Sequence, residues 1–403
     1  MDLTGTANVD PIASPVDDGH NRLFVERLSL NQFRNYTASV ITPGAASIVL
    51  AGPNGAGKTN LLEAVSLLVP GQGLRRASYV DVARIGGNGS WAVAARVHTR
   101  HGLINIGTGQ QAPQPGIRPS TGRVVRIDGQ PQGGSGALAD YLEAVWLTPS
   151  MDGLFTGPAS ERRRFLDRLV LCFDPGFRTL ASRFERATQS RNRLLADGVR
   201  EAAQLTSVEL VMAEAGTAVA AARFLTITRL CAVIETRRAR SAQSPFPWSQ
   251  VRIEGTLEKD LAEKPAVDVE DAYAGRLAQS RERDRTAGRT LEGPHRSDLV
   301  VHHGPKQMPA RLSSTGEQKA LLIGLVLAEA ELIAERHEGA GPLMLLDEIT
   351  AHLDEHRRAA LFQEILRLGG QAWMTGTDLD AFSALRGYAA FFEVSGAHLK
   401  RLL

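Results

Sequence analysis

Residues 52–59 read "GPNGAGKT" and fit the spacing G-x-x-x-x-G-K-[ST] at every position. Gly52, Gly55 and Gly57 let successive backbone N–H groups turn inward, with Pro53, Asn54 and Ala56 completing the loop. A loop of this kind cradles phosphates, and the N-terminus of the helix that Asn60 enters adds its positive field. Lys58 offers a point charge to terminal phosphates, and Thr59 a hydroxyl to a divalent cation. Such chemistry needs a carboxylate on the metal side. "GPLMLLDE" (341–348) supplies it, as four apolar residues of a buried strand followed by Asp347 and Glu348. Asp347 would hold Mg2+ through its water shell. Glu348 would orient or deprotonate an attacking water. The expected ligands are ATP and Mg2+.

A third stretch, "LSSTGEQKALL" (312–322), places more hydroxyls at a helix start than a cap requires. Small hydroxyl residues and a glycine upstream of a strand ending in Asp-Glu have the arrangement of an ABC-type signature motif. Ser314, with Gly316 beside it, would face a terminal phosphate from the helix N-terminus. In that architecture the signature lies far from its own phosphate loop. The partner is therefore a second, antiparallel copy, and two nucleotides are sandwiched in a twofold homodimer.

The elements that must position these groups are legible in outline. "LFVERLSL" (23–30) and "ASIVLA" (46–51) read as strands, and so do "WAVAARVHTR" (91–100) and "GRVVRIDG" (122–129). Residues 108–122 read as a Pro/Gly/Gln loop. Near residue 150 the pattern turns helical. Phe165, Leu166, Leu169 and Val170 share one face, and Phe177, Leu180, Phe184, Ala187, Arg191 and Leu194 recur every three or four residues. Val208, Met212, Ala215, Val219 and Ala222 continue a second run to about Ile234, with Gly198 as the C-cap between them. Two antiparallel helices of roughly 30 and 45 Å follow from about 1.5 Å per residue. Strand, loop and helix alternate again from about residue 290. The expected fold is α/β, an ABC-type ATPase head of the P-loop NTPase class with an inserted α-helical lobe. Its segments are a disordered tail (1–21), an N-terminal ATPase half (22–148), a helical lobe (149–290) and a C-terminal ATPase half (291–403).

Composition excludes several classes. Apolar content of 43% suits a globular core, and a net charge of +2 rules out a polycation. Cys172 and Cys231 are the only cysteines, so no disulfide framework or C-x-x-C metal site is expected. No run approaches 18 apolar residues and residues 1–21 lack a signal-peptide pattern, so the expectation is a cytoplasmic protein with no membrane partner. Between residues 177 and 252 twelve Arg face six Asp and Glu, a local net of +6 that would suit a phosphate-tracking surface. With 5% aromatics, backbone contacts are expected over base readout.

The sequence resembles the RecF family of bacterial recombination-repair ATPases, whose heads are related to those of structural-maintenance-of-chromosomes (SMC) proteins. The resemblance covers roughly residues 23–403 and rests on ordered motifs. These are "LSLNQFRNY" (28–36), "GPNGAGKTNLLEAV" (52–65), "ERRRFLDR" (161–168), "QSRNRLL" (189–195), "LEGPHRSDL" (291–299), "STGEQKALL" (314–322) and "LLDEITAHLD" (345–354). The family implies an ATP-driven homodimer on duplex DNA and single-/double-strand junctions, acting with RecO and RecR to load RecA, with slow hydrolysis releasing it. It implies that Asp354 contacts across the dimer and that Thr377 stands where many ABC proteins have a switch histidine. Arg34 and Asn35 would either approach the nucleotide or form a surface turn. "GPHR" (293–296) would be a turn re-entering the core, or would place His295 and Arg296 near the interface. The segment 73–87 is poorer in charge than the family pattern, so Arg75 and Arg76 are not assigned as a DNA-contact pair. The alternatives are the nucleotide-binding subunit of an ABC transporter, another SMC-like ATPase, or a non-ABC phosphotransferase. The 255 residues between Thr59 and Ser314 argue against the transporter.

Overall fold

The computed structural model describes residues 22–113, 122–198, 202–240 and 244–402. The segment 1–21, expected as a disordered tail, and residues 114–121 of the expected loop lie outside them. The chain opens with the hairpin β1 (Phe24–Phe33) and β2 (Tyr36–Ile41), then the short strand β3 (Ser47–Ala51) and helix α1 (Lys58–Ser66). A single turn α2 (Tyr79–Val82) precedes β4 (Trp91–Thr99), β5 (Gly102–Gln110), β6 (Val124–Ile127), β7 (Gln130–Pro131) and β8 (Ala144–Leu147). The loop expected from residue 108 therefore begins later, because Thr108–Gln110 pair with β4 and Thr108 is buried.

Next come α3 (Ala159–Phe173), α4 (Phe177–Ala196), α5 (Ala202–Arg240), β9 (Ser249–Glu254), α6 (Thr256–Leu261), α7 (Ala266–Gln279) and α8 (Arg281–Ala287). The chain closes with β10 (Asp298–His303), β11 (Met308–Pro309), α9 (Thr315–Arg336), β12 (Leu343–Leu346), α10 (Glu355–Leu368), β13 (Ala372–Gly376), β14 (Ala389–Ser395) and β15 (His398–Arg401).

One sheet has the order β15-β14-β3-β13-β12-β8 and is parallel from β14 to β8. Its central strands are buried on both faces, which is why they read as continuous apolar runs. Successive side chains still divide between two cores. Ile48, Leu50, Leu343 and Leu345 face α1 and the antiparallel sheet β2-β1-β4-β5-β6-β7. Val49, Met344 and Leu346 face α9, α10 and the helices from α3 onward. Strand β9, which falls within the segment 149–290 expected as a helical lobe, pairs with β10 just beyond it.

Helices α4 and α5 pack together as expected, and Gly198 takes φ +70° at the end of α4. Leu195, not Leu194, is the buried residue of the last turn. Helix α5 runs 39 residues, six past the expected end at Ile234, or about 58 Å at about 1.5 Å per residue. Its arginines Arg237 and Arg240 reach Glu331 of α9 at 2.6 and 2.8 Å, so the helix continues where the sequence reads as a charged stop. By length and composition alone α5 could cross a membrane. It is a core helix instead, because it packs on α3, α4, α7 and α9 and carries buried Glu209 and Arg223.

Arg191 ties this region together. Fully buried, it donates to Glu209 at 3.0 Å, Asp284 at 2.7 Å and the Leu277 carbonyl at 2.7 Å. Breaking a buried ion pair strands the remaining charges. Arg191→Met is expected to lower stability by about 3–5 kcal/mol. Arg183→Met, which breaks only the exposed, solvent-screened pair with Glu214, should leave stability nearly unchanged. Urea unfolding of the two variants checks the contrast.

Candidate functional site

The phosphate loop springs from the end of β3, between β13 and β14. A side chain at Gly52 (φ +151°) would strike the Val394 carbonyl, and one at Gly57 (φ +115°) would come within 2.7 Å of the Asn35 amide and Tyr36 hydroxyl. Those two residues brace the loop from behind. Asn35 Nδ2 donates to the Ala56 carbonyl and the Tyr36 hydroxyl to the Gly57 carbonyl, both at 3.2 Å. Asn60 donates to Asn35 at 2.7 Å. Arg34 grips α1 through a bidentate pair with buried Glu63 at 2.8 and 2.6 Å. Arg34 and Asn35 thus position the loop and its helix.

Lys58 donates to the Gly52 and Pro53 carbonyls at 2.6 and 2.8 Å, which holds its ammonium over the loop. Desolvation pushes the Lys58 pKa below its ordinary value, and the fields of Glu348 and Asp347 oppose the shift. A polyphosphate would offer the same ammonium charged oxygens in place of carbonyls.

On the metal side Thr59 donates to both Asp347 oxygens, at 2.9 and 3.1 Å, across 288 positions of sequence. Asp347 Oδ1 also accepts from Thr375 of β13 at 2.7 Å. The Thr375 oxygen in turn accepts from the Glu348 backbone N–H at 2.8 Å. Glu348 sits at φ +49°, an uncommon conformation for a residue with a side chain. Among the described residues no three His, Cys, Asp or Glu gather as a metal cage. One carboxylate and one hydroxyl fit Mg2+, which keeps waters and phosphate oxygens in its shell.

Sequence reading missed Thr375, since a threonine inside an apolar strand looks like ordinary strand packing. Thr377, the residue expected near the phosphates, is exposed just past the end of β13.

The hydroxyl cluster lies elsewhere. Ser314 is the exposed N-cap of α9 and forms a reciprocal capping box with Glu317, whose carboxylate accepts from the Ser314 N–H at 3.1 Å. Lys306 and then Ser314 hold the Glu317 carboxyl down to about 2. Asp354 is the N-cap of α10, accepting from the Arg357 N–H at 2.8 Å. The Arg357 guanidinium lies 3.8 Å from Asp354 and 3.9 Å from where a Gly316 side chain would start. Ser314, Gly316 and Asp354 therefore share one patch. Among the described residues, no hydrogen bond or ion pair joins that patch to residues 52–59. At 293–296 the chain makes a turn closed by the Arg296 N–H to the Gly293 carbonyl at 2.9 Å, with His295 half-buried against Thr290. The turn leads back into buried β10, while Arg296 itself is exposed.

The profile of the RecF/RecN/SMC N terminal domain matches residues 24–377. The chain is 51% identical over 370 residues to the DNA replication and repair protein RecF of Mesorhizobium japonicum, covering 92% of this chain and 96% of that one. It is 50% identical over 380 residues to the Brucella suis protein of the same name, covering 94% and 96%. The chain belongs to the RecF family. Solved structures agree on the fold. A RecF described as a recombination mediator protein in the RecFOR pathway, in complex with ATP, superposes with a TM-score of 0.81 at 19% identity, over 96% of this chain and all of that one. A Pyrococcus furiosus Smc head domain gives 0.51 at 16%, over 94% and 96%. RecF membership sets the transporter reading aside.

The charge count on the helical hairpin changes meaning in this RecF-family chain. Of the twelve arginines, Arg191 and Arg223 are buried in ion pairs, and Arg183, Arg237, Arg238, Arg240 and Arg252 pair with carboxylates at 2.6–3.3 Å. Seven of the twelve are thus matched by carboxylates, Arg183, Arg238 and Arg252 of them in exposed pairs, so the net count does not describe seven free surface cations.

Thr375→Val should keep the fold's shape but remove a hydrogen bond from both Asp347 and Glu348. The bond to the Asp347 carboxylate involves a charged group and is worth about 1.5–3 kcal/mol, so ATP hydrolysis should fall at least roughly 10-fold with ATP binding retained. Thr375→Ser should restore the rate. Steady-state ATPase assays on both variants provide the check.

Proposed function

We propose that this chain is a DNA repair and replication ATPase of the cytoplasm. In this reading ATP and Mg2+ close two copies on DNA, and slow hydrolysis opens them. Lys58 and the loop N–H groups bind the phosphates of ATP. Thr59 and Asp347 hold Mg2+, whose charge neutralises the developing phosphate oxygens. Glu348, oriented through Thr375, takes the proton of the attacking water. The exposed Thr377 offers no imidazole to the phosphates, which supports a slow rate. Backbone contacts to duplex DNA and single-/double-strand junctions, with RecO and RecR as partners and RecA loading as the outcome, complete the proposal. It rests on the family and on relatives named as repair proteins.

One observation carries the dimer. Ser314 and Asp354 cap neighbouring helices on an exposed patch that no hydrogen bond or ion pair joins to their own phosphate loop among the described residues. Each is poised to meet a phosphate from outside. A second copy, related by a twofold axis, presents one.

Lys58→Ala should abolish ATP binding without unfolding the chain, since its charge serves phosphate and not the core. Glu348→Gln should bind ATP but hold the closed dimer much longer. Ser314→Arg should bind ATP as a monomer and fail to dimerise. Nucleotide titration and sedimentation with and without ATP test all three. Loss of ATP binding in Ser314→Arg would place the signature in cis and end the sandwich reading.

A further inference from the structure

A groove of about 510 Å³ shares no residue with the nucleotide and metal site. It is lined by the segment "PFPW" (245–248), by Arg237, Arg238 and Arg240 at the end of α5, and by one face of α10. That face is His356, Ala360, Gln363 and Glu364, whose spacing of three and four residues brings them to one side of the helix. Two of the arginines are engaged within the fold, since Arg237 and Arg240 pair with Glu331 at 2.6 and 2.8 Å. Arg238 is presented differently. Its guanidinium lies over the Trp248 ring at 4.1 Å, and its ion pair, with Glu235 at 3.3 Å, is exposed on both sides. It stands at the groove as an oriented cation beside aromatic and proline surface.

The chain enters the described structure beside the same helix. Arg22 Nε donates to the Gly369 carbonyl at 3.0 Å, directly after α10. Along the helix, Glu364 lies about 7.5 Å from Gly369 and His356 about 20 Å from it, at about 1.5 Å per residue. The 21 residues before Arg22 would span up to about 70 Å fully extended, so the whole groove is within their reach. Their chemistry also fits. Residues 1–21 hold Asp2, Asp10, Asp17 and Asp18 and no Lys or Arg. "PIASPVDD" (11–18) places two prolines, Ile12 and Val16 directly ahead of an Asp pair. Proline restricts the free chain, which lowers the entropy lost on docking, and proline-containing segments suit grooves lined by aromatic rings.

We propose that residues 11–18 dock in this groove of their own chain. The prolines, Ile12 and Val16 lie against Trp248 and the prolines beside it, and Asp17 and Asp18 face Arg238. The occupied groove runs along α10 to His356, two residues past Asp354, so the docked segment borders the patch assigned above to a second copy. Docking stands apart from that reading, because it requires neither ATP nor a dimer.

The test uses the full-length chain carrying the photoreactive substitution Ser14→p-benzoylphenylalanine, made in light and heavy-isotope forms and mixed. Irradiation without nucleotide, followed by peptide mass spectrometry, reads which residues the segment touches and whether they belong to the same copy. Cross-links to 244–248 or 356–364 within one copy are expected. Arg238→Glu should lower their yield roughly two- to fivefold, the scale of exposed ion pairs, and so should the double change Asp17→Asn with Asp18→Asn. Thermal melting verifies that Arg238→Glu is folded. The aspartate variant alters no residue of the described structure and keeps the test decisive if Arg238→Glu is not. The proposal is wrong if the cross-links fall elsewhere on the chain, if they join two copies, if none form, or if the aspartate change leaves the yield as it was.

Discussion

The contact between the Thr59 hydroxyl and the Asp347 carboxylate is the constraint around which the fold is arranged. The two residues follow β3 and β12, which are not neighbours, because β13 lies between them. Adjacent strands sit about 4.8 Å apart, so the two strand ends are roughly twice that distance from each other. The gap is closed from both sides. Thr59 reaches in from the first turn of α1, and Thr375 rises from the middle strand to hold the other face of Asp347. Any slip in the parallel register would part them. The double-sided burial of β3, β13 and β12 is what prevents the slip.

The same arrangement underlies the proposal that a second copy completes the site. The sheet delivers a phosphate cradle and a metal-side carboxylate to one edge. The helices α9 and α10 carry their N-terminal caps to another patch. Both caps are satisfied locally, Ser314 by Glu317 and Asp354 by Arg357, so the patch is stable without a nucleotide. Those same N-termini carry unspent positive field. Among the described residues no hydrogen bond or ion pair links these caps to the phosphate loop.

Much of this was legible in residue order. The phosphate loop, the Asp-Glu after an apolar strand and the hydroxyl cluster were found because their chemistry demands fixed residue types. The central strands were found because burial on both faces leaves no polar positions. The failures share a cause, since each depended on a partner distant in sequence. The arginine run after Ile234 looked like a helix end until Glu331 of α9 paired with it. The surplus of arginine on the hairpin gave no sign of the carboxylates that pair with seven of its twelve, several of them from outside the hairpin. Thr375 carries no local signal at all, and its role exists only beside Asp347 and Glu348. Strand β9 was hidden because its partner β10 begins 44 residues after it ends, at Asp298 against Ser249–Glu254, beyond three helices.

The central claim, that each ATP site is completed by a second copy, is tested most directly by mixing two inactive variants. In a dimer of Lys58→Ala with Ser314→Arg, one composite site inherits both lesions and the other has neither. ATP hydrolysis measured across mixing ratios should be near zero for either variant alone and should pass through a maximum near equal amounts. Activity that stays at the baseline at every ratio, while the mixed dimer is seen to form, would contradict a site shared between chains.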